Sequence, residues 1–304
     1  MSARGKVLVA GATGFVGQRL VPALVGLGYD VLCASSDARA AQARWPDYTW
    51  IELDVHTPST LEALRGCRAA FYLVHSIGEG HDYARRERVA AEAFARAAEA
   101  EGLERIVYLG GVRPLGGCSR HLRARLEVGQ ALSSTRVSVV ELRAGMLVGH
   151  GSASWTMVSA LAARLPAMLL PSWLDRHSWP VGVEDAVGAL IAGLELPDDQ
   201  AGSYSIPGPE RIAHRELLAR TAAARGKHPY MLRVPFVSPT LSSYWIAAVT
   251  GVPLSLVREL VAGIQFELDP STPPLWPLIG RGPTPLDETI RLALADERVL
   301  RSAG

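Results

Sequence analysis

The sequence predicts an α/β fold, in which a doubly wound parallel sheet is followed by a smaller, mostly helical C-terminal lobe. Three observations predict it. Short apolar strands alternate with helical segments through the first half of the chain, those strands are apolar on both faces, and a glycine-rich turn follows the first of them. Strands of this kind pack between two layers of helices, and their carboxyl ends then line one edge of the sheet.

The predicted elements follow one another in βα order. We expect strands at 6–10, 29–34, 50–54, 69–74, 105–109 and 138–143, and helices at 18–27, 59–65, 82–101 and 121–133. Beyond residue 151, prolines divide the chain into short elements, with helices predicted at 184–196 and 286–300. The predicted domains are therefore a sheet domain at 1–150 and a substrate-side lobe at 151–304, with segments such as 180–196 packing back on the first domain.

Composition excludes several functions. The net charge is +1 and no run of Lys or Arg stands out, which argues against nucleic acid as a partner. The three cysteines, Cys33, Cys67 and Cys118, form no CxxC pair, so neither a disulfide framework nor a metal site is predicted. Together with an N-terminus that lacks a signal-peptide pattern, this predicts a cytoplasmic protein.

The stretch 244–257 is apolar enough to raise the question of a membrane. It contains Gly251 and Pro253, ends at Arg258, and is shorter than the ~20 apolar residues of a spanning helix. We therefore expect a buried or cleft-lining helix here and no stable membrane insertion.

The turn GATGFVG at residues 11–17 ends the first strand and opens the first helix. Gly11 permits a tight turn, Gly14 lets the backbone approach a pyrophosphate, and Gly17 allows close packing of helix on strand. The helix N-terminus adds N–H groups and the positive end of its dipole. The turn predicts the dinucleotide site of a Rossmann domain, whose further contacts come from Thr13, Phe15 and Val16.

The end of the second strand bears on cofactor choice. An NAD-selective Rossmann domain places an acidic residue there, whereas this chain has Ser35 and Ser36. Small hydroxyl side chains leave room for a 2′-phosphate, and Arg39, or less favourably Arg44, can supply a bidentate charge. NADP(H) is therefore favoured. NAD(H) stays the alternative, because Asp37 can instead turn toward the ribose.

The spacing of the glycines resembles that of the extended and atypical short-chain dehydrogenase/reductases. The segments 53–55, 180–185 and 204–210 also resemble that superfamily, and 72–76, 121–125 and 141–145 are similar to bacterial NmrA-like or epimerase-like NAD(P)-binding proteins. The resemblance covers roughly residues 7–261. It implies that Asp54 and Val55 contact adenine, and that the strand-end residues Val74, His75 and Gly110 lie along the cofactor.

The catalytic pair of that superfamily is missing. Its members use a Tyr with a Lys four residues later, but the only lysines here are Lys6 and Lys227, and neither follows a Tyr at that spacing. At the corresponding place stand His121 and Arg125, which share one helix face. His121 is either the acid–base group or a hydrogen-bonding residue at the cofactor rim, and Arg125 can hold the ribose or a substrate oxygen. The usual serine after the fifth strand is replaced by glycine at positions 110 and 111.

A second polar cluster follows the fourth strand, at His75, Ser76, His81 and Tyr83. Ser76 can orient a substrate carbonyl and His75 or Tyr83 can donate a proton; the alternative is a polar loop that wraps the cofactor. Arg143 is expected to pair with Glu141 or Glu184 rather than to bind an anion.

These residues predict an NADP(H)-dependent oxidoreductase of the atypical short-chain type, acting on a small hydrophobic carbonyl, enone or quinone-like substrate. Two alternatives stay open. One is an NAD(P)-binding sensor or scaffold without turnover, and the other is a non-redox isomerase or cyclase on the same fold. Analogy with the superfamily suggests a homodimer.

Overall fold

The computed structural model describes residues 4–75, 82–115, 117–165, 167–234, 237–264, 266–269 and 271–302. The chain divides into two compact units. The first comprises Met1–Gly111, Arg123–Arg143 and Val187–Ser205, and the second comprises Val112–Leu122, Ala144–Ala186 and Ile206–Gly304. The domain boundary predicted at residue 150 stays a prediction.

The first unit is built on a mostly parallel sheet, seven-stranded within the described residues. Its strands, numbered in chain order, are β1 (Lys6–Ala10), β2 (Asp30–Ser35), β3 (Thr49–Glu52), β4 (Ala69–Tyr72), β5 (Arg105–Gly111), β6 (Ser138–Ala144) and β7 (Gly202–Ser205). They lie in the order β7-β6-β5-β4-β1-β2-β3, and β4 pairs in parallel with both β1 and β5. The predicted α/β Rossmann fold is confirmed, and the carboxyl ends of β1, β4 and β5 are neighbours.

The helices, numbered in chain order, are α1 (Gly17–Gly26), α2 (Ala38–Arg44), α3 (Tyr83–Ala100), α4 (Arg120–Leu132), α5 (Ala153–Arg164), α6 (Val183–Glu195), α7 (His214–Ala224), α8 (Pro239–Thr250), α9 (Leu254–Ile264) and α10 (Leu286–Ser302). Helices α1, α3, α4, α6 and α10 lie close to the predicted positions, whereas α2, α5 and α7 were not predicted. The helix predicted at 59–65 is a 3₁₀ helix, Pro58–Leu64. Gly193 of α6 packs close to β6, since a Cβ on it would lie 3.1 Å from Cγ1 of Val140.

One predicted element is wrong. The stretch 244–257 is not a single helix, because α8 ends at Thr250 and α9 begins at Leu254. Gly251 follows α8 with φ of 76°, the left-handed conformation that favours glycine at a helix end. Pro253 has no N–H to continue the ladder, so the chain turns before the next helix. Among the described residues, no helix is both long and apolar enough to cross a bilayer.

The core of the first unit contains an aromatic cluster beneath the carboxyl ends of β4 and β5. The rings of Tyr72 and Phe94 meet edge to face at 5.0 Å, and those of Tyr72 and Tyr108 at 6.1 Å. Cys33 and Cys67 are also buried in this unit, and burial raises the pKa of both thiols, that of Cys33 to about 12. Both thiols therefore stay protonated and unreactive.

The second unit combines helices with short strand ladders. His177–Ser178 pairs with Ile212–Ala213, Val181–Gly182 with Leu147–Val148, Tyr230–Val234 with Ala167–Pro171, and Glu267–Leu268 with Pro114–Leu115. One apolar core forms around Leu161, Ile246 and Val257, and another around Trp155 and Ile290. Helices thus contribute most of the buried surface of this unit.

Candidate functional site

The glycine turn closes tightly on itself. Gly11 has φ of 85°, and the amide of Gly14 donates to its carbonyl at 3.0 Å. A Cβ on Gly17 would lie 2.3 Å from that same carbonyl oxygen, and a Cβ on Gly11 would lie 3.0 Å from the backbone of Leu73. The first distance leaves no space for a side chain at Gly17, and the positive φ together with the second, tight distance favours glycine at position 11.

Helix α1 begins directly after this turn, at Gly17. Its N-cap residue, Val16, supplies no side-chain cap, and its first turn holds no acidic residue. The positive end of the helix dipole is therefore not compensated by a side-chain cap or by a carboxylate in the first turn. Thr13 is exposed beside them, and Arg19 stacks at 4.7 Å on the ring of Phe15. A glycine cradle in front of an uncapped helix fits the pyrophosphate of a dinucleotide.

The residues after β2 are arranged around the start of α2. Asp37 caps this helix, with its Oδ1 accepting from the amide of Ala40 at 2.9 Å, and its own amide donates to Ser35 Oγ at 3.2 Å. Arg44 stacks at 4.6 Å on Trp45, whereas Ser36 and Arg39 are exposed. One oxygen of Asp37 is thus committed to the helix, and the contact of Arg39 with a 2′-phosphate stays a prediction.

Asp54 is held by its own turn. Its Oδ1 accepts from the amide of His56 at 2.9 Å and its Oδ2 from the hydroxyl of Thr57 at 3.0 Å. Val55 is buried. The geometry therefore gives the Asp54 carboxylate a structural role in the 54–57 turn, and its contact with adenine stays a prediction.

Three strand ends meet beside the glycine turn. The amide of Leu73 donates to the carbonyl of Ala10 at 3.0 Å, which carries the ladder between β1 and β4 one step past the strands. Val74 and His75 come next, and Gly110 lies near the end of β5, which pairs with β4 on its other side. Gly11 and His75 therefore follow β1 and β4, and Gly110 is near the end of the adjacent β5. This is the edge where a Rossmann domain binds its ligand.

The guanidinium of Arg125 is anchored at this same edge. Its Nη2 donates to the carbonyl of Leu109, and its Cζ lies 5.6 Å from the centroid of the Tyr108 ring. The Tyr108 hydroxyl in turn donates to the Arg125 carbonyl at 3.0 Å. Arg125 is thus fixed between helix α4 and the end of β5, and it places a permanent positive charge near the strand ends.

Arg125 influences the titratable groups around it. Desolvation by the surrounding protein, and next the positive charge of Arg125, lower the pKa of His75, although the residue is exposed. The imidazole is therefore neutral near pH 7. Burial raises the pKa of Tyr72 and of Tyr108, so both remain phenols.

The other predicted catalytic residues differ in how far solvent reaches them. His121 is half-buried in the first turn of α4, four residues before Arg125. Tyr83 begins α3 and is completely buried, which argues against direct contact with a substrate. Ser76 and His81 lie outside the described residues.

Gly110 and Gly129 pack against a buried carboxylate. A Cβ on Gly110 would lie 2.7 Å from Oε1 of Glu141, and a Cβ on Gly129 of α4 would lie 2.6 Å from the same atom. Glu141 is 4% exposed, and its Oε2 accepts from Arg143 and Ser203, each at 2.7 Å. Arg143 thus pairs with Glu141. The sequence offered one signal for this packing, a glycine in the middle of a predicted helix.

Residues 7–127 match the model of the NAD dependent epimerase/dehydratase family. A ceramide reductase from Caulobacter vibrioides is 26% identical over 296 residues, which cover 90% of this chain and 88% of that protein. The matched family segment includes the glycine turn and the residues of the strand-end site, by which we mean His75, Gly110 and Arg125.

Solved structures share the fold. A triphenylmethane reductase from a Citrobacter species, complexed with NADP(H), superposes with a TM-score of 0.75 at 18% identity, covering 95% of this chain and 99% of that one. A nucleoside-diphosphate-sugar epimerase from Staphylococcus aureus gives the same TM-score at 18% identity, covering 94% and 99%. The resemblance to epimerase-like short-chain dehydrogenase/reductases with an NAD(P)-binding Rossmann fold is confirmed.

Proposed function

We propose that the protein is an NADP(H)-dependent reductase of a hydrophobic carbonyl, enone or quinone-like substrate. The observation that carries the proposal is the fixed guanidinium of Arg125 at the end of β5, beside the strand ends where Gly11 and His75 lie. It provides a positive charge in the region where the superfamily uses a lysine. The reductase relative over 90% of the chain supports the same reaction class.

The residues that would hold the cofactor form two groups. The glycine turn with the start of α1 would bind the pyrophosphate, and Ser35, Ser36 and Arg39 would bind the adenosine ribose with its 2′-phosphate. The exposed Arg39 and the helix-capping role of Asp37 favour NADP(H). When bound, the nicotinamide supplies the hydride.

Arg125 has two tasks in this proposal. A guanidinium does not release its proton at physiological pH, so Arg125 binds a ribose hydroxyl or the substrate oxygen and stabilises negative charge that develops there. Its bond to the Leu109 carbonyl and its contact with Tyr108 keep it in place before substrate arrives. That preorganisation means that little rearrangement is needed during the reaction.

The proton comes from a histidine. His121 is on the same face of α4 as Arg125, one helical turn earlier, and an imidazole can act as an acid–base group. His75 is neutral near pH 7, so it can donate a hydrogen bond to the substrate oxygen but holds no imidazolium proton to transfer. Tyr83 and Ser76 rank below both, Tyr83 because it is buried.

The substrate is apolar in this proposal. The protein that is 26% identical to this chain is named for reduction of a ceramide, which supports a lipid-like substrate. A structural neighbour named for reduction of triphenylmethanes supports a bulky apolar one. Both agree with the hydrophobic carbonyl expected from the sequence.

The test is consumption of NADPH with a panel of long-chain ketones, enones and quinones, followed by mass analysis of the products. We expect a reduced product and stoichiometric NADPH oxidation, with kcat lowered about 10²-fold in Arg125→Gln and partly restored in Arg125→Lys. Arg123→Gln, an exposed arginine on the same helix, is the matched control. NADPH binding without consumption across the panel would instead identify a sensor or scaffold.

A second function, isomerisation without net redox change, is favoured by one observation. The family model that matches residues 7–127 is that of NAD dependent epimerases and dehydratases. Isomerisation would give an isomeric product with no net loss of cofactor. Product mass distinguishes the two, because reduction adds two hydrogens and isomerisation adds none.

A further inference from the structure

A cavity of about 520 Å³ lies wholly within the second unit. Its charged lining consists of Arg164, Arg225, Lys227, Arg298 and Glu297. Four basic side chains thus face one carboxylate. None of these residues belongs to the glycine turn or to the strand-end site, so the cavity needs an explanation of its own.

The single carboxylate is already neutralised. Glu297 of α10 accepts from Trp155 Nε1 at 3.0 Å and from Ser159 Oγ at 2.5 Å, and it forms an ion pair with Arg225. Arg225 also donates to Ser159. This network fixes one wall of the cavity, and it leaves the charges of Arg164, Lys227 and Arg298 without a compensating carboxylate in the lining.

Two of those cations are held in position by backbone oxygens. Arg164 donates to the carbonyl of Val249, and Lys227 donates to the carbonyl of Ala163. Both carbonyls are in the last turn of a helix, α8 and α5 respectively. A carbonyl orients a cation but does not cancel its charge, and each side chain keeps further N–H donors for another group.

The helix ends at this cavity lower its positive charge only in part. Helices α5, α7 and α8 all end in its lining, at Arg164, next to Arg225, and at Thr250. A helix C-terminus is equivalent to about −0.5 elementary charge, so three ends offset roughly half of the three excess positive charges. The cavity therefore keeps a net positive charge of more than one unit, concentrated around oriented N–H donors.

We propose that this cavity binds a small organic anion that carries a phosphoryl group. A phosphoryl dianion only accepts hydrogen bonds, and it matches a set of guanidinium and ammonium donors better than a single carboxylate does. The cavity volume falls within the range of small-molecule sites and leaves room for an organic moiety beside the phosphoryl group. The alternative is that the four cations only compensate the helix ends, in which case no ligand binds.

The scarcity of lysine provides a direct test. Lys227 lines the cavity, and the only other lysine, Lys6, is in the first unit and serves as an internal control. Acetylation of both amines is measured by mass spectrometry with inorganic pyrophosphate and with sodium chloride at equal ionic strength. At ten times the dissociation constant, pyrophosphate should slow acetylation of Lys227 about tenfold and leave Lys6 unchanged. Equal rates in the two salts would overturn the proposal.

Two variants make the result specific. Arg164→Gln combined with Arg298→Gln removes two exposed cations of the lining, and both positions tolerate a polar side chain. Protection of Lys227 should disappear in this variant and persist in Arg291→Gln, a matched exposed arginine of α10 that is not in the lining. Protection that survives in the double variant would show that the anion acts elsewhere.

The melting temperature gives a second readout that does not depend on chemistry at Lys227. Pyrophosphate should raise it in the wild type and in Arg291→Gln by more than in the double variant. Anions excluded from the surface stabilise all variants alike, so sodium sulfate provides the baseline. An equal rise in all three proteins would contradict the proposed site.

Discussion

The carboxylate of Glu141 occupies the space that a side chain at Gly110 would need, with only 2.7 Å between its Oε1 and a Cβ at that position. Glu141 is buried and is held by Arg143 and Ser203, so it has little freedom to move away. A side chain at position 110 and this buried ion pair therefore compete for the same space.

This contact predicts the effect of a side chain at position 110. Gly110→Ala should lower the free energy of unfolding by about 1–3 kcal/mol, because the methyl group overpacks against Glu141. Urea denaturation measures the change. Gly263→Ala is the control, since a Cβ there meets nothing closer than 3.8 Å and the residue is helical. Equal stability of Gly110→Ala and wild type would show that Glu141 can withdraw.

The glycine turn predicts loss of cofactor binding in Gly17→Ala, because the new Cβ would clash with the Gly11 carbonyl at 2.3 Å and distort the cradle. Gly26→Ala in the same helix is the control, because a Cβ there has nothing within 4 Å. Titration with NADPH, followed by nicotinamide fluorescence, should show binding only in the control. Normal binding by Gly17→Ala would remove the turn from the cofactor site.

We expect Arg39 to determine the preference for NADPH over NADH. Arg39→Gln should raise the dissociation constant of NADPH at least about tenfold, since a hydrogen bond to a charged group is worth about 1.5–3 kcal/mol. The dissociation constant of NADH should stay the same. Arg44→Gln, whose arginine stacks on Trp45, should change neither value. A parallel loss of both cofactors in Arg39→Gln would argue for a structural role instead.

The charge of Arg125 is expected to affect the pKa of His75. Its positive charge helps to lower the pKa of His75, so Arg125→Gln should raise that pKa toward the ordinary value of histidine, about 6.5. NMR titration of the imidazole protons measures the shift, with Arg123→Gln as the control. If the pKa of His75 is unchanged in Arg125→Gln, the two side chains are not electrostatically coupled.

The buried imidazole of His214 is expected to make the free energy of unfolding depend on pH. Burial, and to a lesser degree His177, lower the pKa of His214 to about 4, whereas an unfolded histidine titrates near 6.5. Between these values the unfolded chain holds the extra proton. The contribution of His214 to stability therefore rises with pH by about 1.4 kcal/mol per pH unit, to a total of about 3 kcal/mol, and is level above pH 6.5.

Thermal unfolding between pH 4.5 and 7.5 checks this slope. The slope of the free energy of unfolding against pH should be shallower in His214→Gln than in the wild type by about 1.4 kcal/mol per pH unit. His228→Gln replaces an exposed histidine of the same unit and should keep the slope of the wild type. Identical slopes in all three proteins would contradict the lowered pKa of His214.

The sheet and the glycine turn could be predicted from the sequence because their signals are local. Gly11, Gly14 and Gly17 are spaced for one turn, and β1, β4 and β5 contain continuous apolar runs. Strand β7, with the sequence GSYS, contains no such run and was not predicted. The break at Gly251 and Pro253 was also visible, but the apolar run around it outweighed it in the prediction.

The remaining features depend on contacts between distant parts of the chain. Glu141 is near Gly110 only because β6 lies beside β5. Nothing in the sequence around Glu141 indicates that its carboxylate occupies the space beside Gly110. The cavity cations come from three separate segments that the packing of α5, α7 and α10 brings together. Sequence periodicity defines which face of a helix is apolar, but not which charged residues of different helices become neighbours.

The uneven burial of the three cysteines gives the protein a ready spectroscopic label. Cys33 and Cys67 are sealed in the core with raised pKa values, while Cys118 is half-buried, three positions before His121. A maleimide dye added to the native protein should therefore attach at one defined position next to a candidate proton donor. Its emission would then report ligand arrival at α4 in real time, without any engineered substitution.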